Sequence, residues 1–509
     1  MKFFRVLKMV KINYCQTPVI FFLTVGIIIF GSWSPAFATE PPKIVIGSKA
    51  FTESVILGEI ASGLLRSRKI NNSHRKQMGG TRILWNALLR GDIDIYPEYT
   101  GTIRNEIYAG RKNLNTERNL RKALARDGIG MTLPLGFSNN YAIGLTETRA
   151  SFLGVSSISQ LSKLKGLNLG FSNEFMDRAD GWPALRQKYQ FLSSTPRGLN
   201  HDLAYKALHQ GKIDAMDLYT TDAEIVYYNI RVLKDDLSHF PNYQSVFLYR
   251  LETAKYISIP QALNSIENRI NAVEMANLNK AVKLEKKSEK AAATLFLRQK
   301  FNLNLEPSVQ SRMQRLLVST YEHLSLVGIS LLAAIFIAVP AGILAARYRR
   351  IGTVVLSSAG IVQTIPGLAM LVFMLPIFGI GAAPTIAALF LYSLLPIMRN
   401  THAGLCGIDR TLVEAADIFG LGKLSKLARI ELPLALPVIL AGIKTSAIIN
   451  IGTATLGAII GAGGYGQPIL TGIRLDDTAL ILEGAIPAAV LAIVTQISFD
   501  LLEKRVVSR

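Results

Sequence analysis

The chain has 509 residues, of which 50% are hydrophobic and only 18% are charged, with a mean hydropathy of +0.29. It is therefore too apolar for a disordered protein and more apolar than a soluble protein of this length, which allows several domains. The net charge of +20 is dispersed and forms no basic block interleaved with aromatic residues, which argues against nucleic-acid binding. Cys15 and Cys406 lie far apart and define neither a disulfide framework nor a metal site.

Residues 1–38 are typical of a signal peptide. Four Lys and Arg residues precede an apolar run at 19–30, and Ala36-Phe37-Ala38 offers small residues at the two positions that a signal peptidase requires. The alternative is an uncleaved membrane anchor. Either interpretation predicts that the following segment lies on the far side of the inner membrane.

Residues 39–305 are polar, mixed in charge and without a membrane-length apolar run, and they predict an α/β domain. A helix–turn–strand unit occurs twice, at 87–96 and 207–219, and in each a helix stops at Gly and a short apolar strand ends in Tyr. Two matching units indicate two similar lobes. Because ligands sit beyond the carboxyl ends of strands in such sheets, we expect Tyr96 and Tyr219 to face one cleft. The polar run 66–77 lacks the pattern of a strand.

Residues 324–509 predict an all-α transmembrane domain, joined to the preceding domain by a linker at 306–323. Five stretches carry no charge or a single charge and are long enough to cross a hydrocarbon layer of about 30 Å. These stretches are Leu324–Ala346, Gly352–Phe378, Gly379–Met398, Leu434–Ile460 and Ala479–Phe499.

The charges between these stretches predict their orientation. With residues 39–305 outside, the three segments that fall inside hold eleven Lys and Arg residues, whereas the outside loop 461–478 holds only Arg474. Such a bias is typical of multi-pass inner membrane proteins, whose cytoplasmic loops are rich in Lys and Arg. We therefore expect the loop 399–433 and the C-terminus to be cytoplasmic.

The loop 399–433 carries a spaced motif. Its specified positions are Glu414, Ala415, Ala416, Gly420, Ile430, Leu432 and Pro433. This pattern resembles the EAA loop of ABC-importer permeases, and every specified position matches at the family's spacing. The small Ala residues allow another protein to approach closely, Gly420 is expected to end the helix, and Pro433 is expected to begin the next element. The alternative is an ordinary amphipathic cytoplasmic helix. The resemblance implies that the loop contacts an ATPase.

The chain contains no nucleotide-binding motif of its own. No Gly-x-x-x-x-Gly-Lys-Ser/Thr occurs, so the ATPase is expected to be a separate chain. Motifs of metalloproteases and serine hydrolases and paired-cysteine metal spacings are also missing from the sequence. We therefore expect a transporter subunit rather than an enzyme, with no catalytic residue, cofactor or metal.

Three stretches of the α/β domain resemble the substrate-binding proteins of glycine betaine/choline/carnitine (osmoprotectant) importers. They begin at Gly47, Asp94 and Asp217, and the resemblance continues into the permease at 451–455 and 461–464. It implies a two-lobe periplasmic-binding-protein fold of type II that closes around a quaternary ammonium group. By motif, the cage consists of Tyr99, Tyr141, Tyr219 and Tyr243, and the polar end of the ligand is served by Thr102, Lys49, Asn139 and Arg178.

The chemistry of these side chains suits such a ligand. A trimethylammonium group donates no strong hydrogen bond, and aromatic ring faces attract it by about 0.5–2 kcal/mol each while burying its methyl groups. Arg178 can bind a carboxylate through two parallel hydrogen bonds. Any one tyrosine on its own is more often a packing residue, and this interpretation is retained for Tyr96, Tyr205, Tyr227 and Tyr228.

The sequence therefore predicts an inner membrane importer subunit in which binding domain and permease are fused, and two permease domains are expected to pair. The favoured substrates are glycine betaine, proline betaine, carnitine or choline. One alternative is a receptor that senses the same ligands, although five spans and the short tail from Glu503 argue against it. Another is the same architecture with a different substrate, such as ergothioneine or an amino acid. An exported enzyme has no motif support.

Overall fold

The computed structural model describes residues 43–507 apart from 112, 115, 192–194, 255–258, 304 and 306–310. The expected signal peptide lies outside the described residues. The strands are β1 Ile44–Gly47, β2 Asn72–Arg75, β3 Ile95–Tyr99, β4 Ile129–Met131, β5 Tyr141–Thr146, β6 Gly170–Ser172, β7 Arg197–Leu199, β8 Met216–Tyr219, β9 Ile230–Val232 and β10 Ser245–Arg250.

The first lobe is built on a mixed sheet with the strand order β2-β1-β3-β10-β4. The strands β2, β1 and β3 are parallel, and β10 returns from the second lobe to insert antiparallel between β3 and β4. The second lobe contains the antiparallel sheet β8-β5-β9 and the parallel pair β6-β7, which Leu169 and Ala215 connect through an isolated bridge. The chain crosses between the lobes near Ser138 and Gln244, which pair with each other. This is the expected type II two-lobe fold.

Helices cover both lobes. They are α1 Thr52–Ser67, α2 Thr81–Arg90, α3 Thr100–Thr102, α4 Glu117–Arg126, α5 Glu147–Leu153, α6 Ile158–Ser162, α7 Asn173–Asp177, α8 Trp182–Tyr189, α9 His201–His209, α10 Glu224–Tyr227, α11 Leu251–Ala254, α12 Ile259–Asn264, α13 Ala272–Lys283 and α14 Glu289–Phe301, with a π-helical turn at Ile103–Ile107. Almost every residue of α1 is buried, because α12, α13 and α14 pack over the face that does not contact the sheet.

The repeated helix–turn–strand units form as predicted. α2 ends at Gly91 and α9 is followed by Gly211, and both glycines have positive φ angles of 83° and 67°, a conformation that favours glycine. The expectation that Tyr96 faces the cleft is wrong, since Tyr96 lies within β3 and is fully buried in the core of the first lobe. The last residue of β3, Tyr99, faces the cleft instead.

The run 66–77 does contain a strand, so the expectation of none there is wrong. β2 lies at the edge of the sheet and pairs in parallel with β1, with Ile44 opposite Asn72. Its side chains are held by polar contacts: His74 Nδ1 lies 3.1 Å from Glu59 Oε1, and its Nε2 lies 2.8 Å from Ser48 Oγ. An edge strand with such partners needs no apolar alternation, which is why the sequence pattern misses it.

The remaining helices form the membrane domain. They are α15 Arg312–Arg347, α16 Arg349–Thr364, α17 Gly367–Phe378, α18 Ala382–Cys406, α19 Arg410–Ile418, α20 Lys423–Lys426, α21 Leu432–Ala454, α22 Gly466–Leu475 and α23 Thr478–Val507, with a π-helical turn at Leu427–Glu431 and a 3-10 turn at Thr455–Ile460. Residues 312–323, expected to be linker, form the first turns of α15. Among the described residues, four helical segments are long and apolar enough to span a membrane, beginning at Arg312, Ala382, Lys423 and Thr478.

The predicted span Gly352–Phe378 is bent rather than straight. α16 and α17 meet at an angle of 101°, and together they make a fifth apolar segment. The break falls at Ile365, whose ψ of 126° is extended, because the following Pro366 has no N–H and disfavours helical geometry in the residue before it. The chain then turns tightly at Gly379 and Gly381 into α18.

The two ends of the helical bundle are distinct. At one end, Arg347 of α15 pairs with Glu431 of the loop 399–433. At the other end, Arg90 of the first lobe donates to the carbonyl of Leu375 near the end of α17 at 3.0 Å. Since α16 begins next to Arg347, the bent pair runs from the loop end of the bundle to the binding-domain end.

Candidate binding site

Strand register brings the four tyrosines of the expected cage together. Tyr141 at the start of β5 lies directly opposite Tyr219 at the end of β8 in the second lobe. Tyr99 at the end of β3 lies opposite Ser245, two residues after Tyr243. Residues opposite each other in antiparallel strands have Cβ atoms about 4.5–5.5 Å apart. The two sheets therefore present one tyrosine pair each to the space between the lobes.

The rings form adjacent walls. The ring centroid of Tyr141 lies 5.0 Å from that of Tyr219 and 5.7 Å from that of Tyr243, the latter in an edge-on arrangement. Phe51 extends the wall between the lobes, with its centroid 6.3 Å from Tyr99 and 5.6 Å from Tyr219. Such an aromatic cluster attracts a diffuse cation through several ring faces at once.

All eight residues expected to bind ligand line one small cavity. They are Lys49, Tyr99, Thr102, Asn139, Tyr141, Arg178, Tyr219 and Tyr243, and Phe51 and Glu174 complete the lining. A larger cleft of about 690 Å³ adjoins it, lined by both lobes and by Ile459 of the membrane domain. The space between the lobes thus opens toward the helical bundle.

Arg178 is already paired within the protein. Its Nε and Nη2 donate to the two carboxylate oxygens of Asp180 at 2.7 and 2.8 Å, and the guanidinium lies 5.3 Å from the ring centroid of Tyr141. Burial by itself raises the pKa of Asp180, but the Arg178 partner outweighs it and the pKa is lowered. Tyr243 also donates to Asp180 at 2.6 Å. The remaining nitrogen of the guanidinium, Nη1, lies 3.7 Å from Glu174, which also lines the cavity.

Lys49 is likewise buried and paired. Its Nζ donates to Glu98 at 2.6 Å and to Thr81 at 2.9 Å, and it lies 5.7 Å from the ring centroid of Tyr99. Thr102 is buried in the helical turn that follows β3. Both cations of the site are therefore held in place by acidic neighbours before any ligand enters.

Glu53 connects the elements that carry the site. Its buried carboxylate accepts hydrogen bonds from Tyr99 at 2.6 Å, Asn139 at 2.9 Å, Thr221 at 2.5 Å and Asn279 at 3.2 Å. Burial raises the pKa of Glu53, while the hydrogen bonds oppose this rise. Because Thr221 belongs to the second lobe, Glu53 joins the two lobes directly beneath the cage.

His201 lies behind Tyr219. The two ring centroids are 4.5 Å apart, and His201 Nε2 lies 3.0 Å from the carboxylate of Asp222, which also accepts from the backbone N–H of Tyr219. Burial by itself lowers the pKa of His201, but Asp222 outweighs it and raises the pKa to about 9. The imidazolium and Asp222 thus fix the outer face of Tyr219.

Sequence reasoning did not assign roles to four residues of the site: Phe51, Glu53, Glu174 and His201. Phe51 and Glu53 lie in the stretch beginning at Gly47, so their position in that stretch was an available signal. Glu174 sits four residues before Arg178, on the same helical turn. His201 begins the helix of the second repeat and carries no such signal.

The EAA-like segment contains the helix and the glycine after it that its sequence predicts, but the helical segment that includes Pro433 begins earlier than expected, at Lys423. Glu414, Ala415 and Ala416 lie in α19, and Gly420 follows that helix with a φ of 71°. Pro433 lies in the first turn of α21. Ala416 is buried, whereas Phe419 is 85% exposed, so an apolar side chain stands free beside the helix end.

A two-lobe binding domain joined to a membrane bundle with an EAA-like loop defines a binding-protein-dependent importer. The family model described as the substrate binding domain of ABC-type glycine betaine transport systems matches residues 42–299. The model described as the binding-protein-dependent transport system inner membrane component matches residues 338–508. The chain belongs to this family of ABC-type glycine betaine transport systems, and it is a multi-pass inner membrane protein with a substrate-binding domain and a permease domain in one polypeptide.

Individual relatives match the permease. The choline transport system permease protein OpuBB of Bacillus subtilis (strain 168) is 40% identical over 197 residues, which are 39% of this chain and 91% of that protein. The osmoprotectant import permease protein OsmW of Salmonella typhimurium is 43% identical over 180 residues, 34% of this chain and 84% of that protein. A crystal structure of a glycine betaine/carnitine/choline ABC transporter aligns over 52% of this chain and 100% of its own, with 26% identity and a TM-score of 0.44.

Proposed function

We propose that this protein imports quaternary ammonium compatible solutes and that Tyr99, Tyr141, Tyr219 and Tyr243 hold the cationic head. The single observation that carries the proposal is the convergence of these four rings on one cavity between the lobes. A trimethylammonium group enclosed by ring faces gains about 0.5–2 kcal/mol from each, and the rings also bury its methyl groups. Thr102, Lys49, Asn139 and Arg178 serve the polar end of the solute.

Glycine betaine is the favoured solute, followed by proline betaine and carnitine. Its carboxylate can accept from Nη1 of Arg178, the nitrogen that does not donate to Asp180. Choline has no carboxylate and would leave this nitrogen to water or to Glu174. The ratio of the affinity for glycine betaine to the affinity for choline therefore measures how much Arg178 contributes to binding the solute's carboxylate.

Transport requires a source of energy. We propose that a separate cytoplasmic ATPase supplies it and docks on the loop 399–433. The exposed side chains next to Gly420 support such a contact. Two copies of the permease domain are proposed to form the translocation path. The bias of Lys and Arg toward the loop end of the bundle supports a cytoplasmic loop and a binding domain on the outer side of the membrane, reached through cleavage after residue 38 or with an uncleaved anchor.

The test is calorimetric titration of the full chain in lipid nanodiscs with glycine betaine. Tyr219→Ala removes one wall of the cage, so the free energy of binding should weaken by at least about 1 kcal/mol. Tyr227→Ala is the matched control, because Tyr227 is 63% exposed and lies outside the cavity; it should leave the affinity unchanged.

Two outcomes would separate the parts of the proposal. If a plain amino acid binds and no quaternary amine does, the cage assignment is wrong, while the importer assignment stands on the family and the loop motif. If ergothioneine binds more tightly than glycine betaine, the cage accepts a larger betaine, and glycine betaine is not the favoured solute.

A further inference from the structure

Arg474, the only basic residue in the loop 461–478, is buried against the first lobe of the binding domain. Its Nη1 donates to Thr52 Oγ1 at 2.6 Å and its Nη2 to Glu289 Oε1. Both side chains of the Arg474–Glu289 pair are at least nine-tenths buried. A buried pair of this kind depends on both partners, since removing one leaves an uncompensated charge. Arg474 therefore anchors the end of α22 to the first lobe.

Two residues further on, Asp476 contacts the second lobe. Its carboxylate accepts from Lys206 of α9 at 2.5 Å. Asp476 is 64% exposed and Lys206 is 39% exposed, so this pair adds little stability by itself. It forms only where the second lobe brings α9 to the end of α22, and it is therefore sensitive to the position of that lobe.

The anchor on the first lobe lies next to the contact that joins the lobes. Thr52, which accepts from Arg474, immediately precedes Glu53, and Glu53 accepts from Thr221 of the second lobe and from Tyr99 of the cage. In the first turn of α1, Thr52 therefore contacts the membrane domain, and the next residue, Glu53, contacts the cage and the second lobe.

We propose that residues 474–476 are a two-lobe clamp through which the permease recognises the closed binding domain: Arg474 holds the first lobe, and Asp476 engages Lys206 when the second lobe has closed. The proposal rests on the proposed function, in which closure accompanies solute binding. A segment that contacts both lobes in one arrangement only binds that arrangement more tightly, and by linkage it also tightens solute binding.

Charge reversal tests the clamp without disturbing the buried pair. Lys206→Glu and Asp476→Lys each place like charges together, and the combination restores an ion pair of opposite polarity. We expect each single variant of the full chain, expressed with its ATPase, to lower uptake of radiolabelled glycine betaine by threefold or more, and the double variant to return it to within twofold of wild type. Lys212→Glu, an exposed reversal after the same helix, is the control and should transport normally.

A second measurement needs no solute. Hydrogen exchange of the full chain in nanodiscs should show faster exchange at 201–209 and 466–477 in Asp476→Lys, and protection should return in the double variant. Unchanged exchange and unchanged uptake in both single variants would overturn the clamp, as would a double variant no better than the worse single one. A wild-type chain that binds no quaternary ammonium solute would refute the proposed function instead, and the exchange measurement would still decide the contact.

Discussion

At the scale of single residues, the site depends on hydroxyl and carboxylate pairs that hold aromatic rings in place. Tyr99 is fixed by Glu53, Tyr243 by Asp180, and Tyr219 by packing against the tilted ring of His201. Each of these partners belongs to a different segment of the chain from its tyrosine. The orientation of a ring face, and hence its attraction for a cation, is consequently set by a neighbour that is not part of the cage.

Tyr99→Phe tests this role of Glu53. The ring remains, but Glu53 loses a donor, so the free energy of unfolding of the binding domain should fall by about 1–3 kcal/mol. Urea unfolding of the full chain, followed by the fluorescence of Trp85 and Trp182, measures the change. Tyr108→Phe is the control: its hydroxyl bonds to Asp127, an exposed side chain that water can satisfy, and the loss should be smaller. Equal losses in both variants would argue against a special role for Glu53.

His201 gives the binding domain a pH dependence of defined sign. Its pKa is raised to about 9 in the folded protein by Asp222, above the ordinary value of 6.5. The stabilisation from His201 is therefore complete below about pH 6.5 and is lost as the pH rises through about 9, at up to about 1.4 kcal/mol per pH unit. His201→Gln should flatten the decline in urea stability over this window. A variant whose stability falls as steeply as wild type would contradict the assignment.

At the scale of secondary-structure elements, two glycine-dependent turns decide where helices end. Gly211 closes the repeated helix–turn–strand unit that aims Tyr219, and Gly420 closes the helix of the EAA-like loop. Neither glycine has another group within 4 Å of the position of a Cβ atom. The requirement for glycine at both places is thus conformational rather than steric.

Gly420→Asp should leave solute binding intact and abolish uptake, because Gly420 lies outside the cage and next to the proposed contact with the ATPase. Replacing Glu414 should act in the same way. Gly422→Asp is a matched control that adds the same charge two residues away, at a φ of −62° that any residue adopts. Paired binding and uptake assays on the full chain measure both variants. Normal uptake in Gly420→Asp would contradict the proposal that the ATPase docks on this loop.

At the scale of the whole molecule, the bent pair α16–α17 determines whether the membrane domain crosses the membrane an odd or an even number of times. Within residues 312–507, which the structure describes, there are five candidate crossings if the bent pair counts as one span and four if it does not. The contact of Arg90 with Leu375 at one end and the start of α16 beside Arg347 at the other favour five crossings.

Reporter fusions show whether the number of crossings is odd or even. A reporter after Arg509 should be cytoplasmic and one near Pro307 should be outside, since an odd number of crossings separates them. A pair of enzymatic reporters that are active on opposite sides of the membrane provides the readout. If both positions report the same side, α16 and α17 re-enter rather than cross.

The sequence by itself determined the features that depend on local pattern: apolar stretches long enough to span a membrane, the spacing of Glu414 to Pro433, and the glycine-terminated repeats. The resemblance also pointed to eight of the ten side chains that line the cavity, four of which lie in the stretches that begin at Gly47, Asp94 and Asp217. Only the tertiary structure decided which partners hold them, because the pairings of Glu53 with Asn139, Thr221 and Asn279 join residues 86, 168 and 226 positions apart. The polar edge strand β2 was hidden for the same reason, because neighbouring elements stabilise it and its own sequence shows no apolar alternation. The bend at Ile365 has a local cause instead, since Pro366 disfavours a helical conformation in the residue before it, and the hydropathy of the span does not show this.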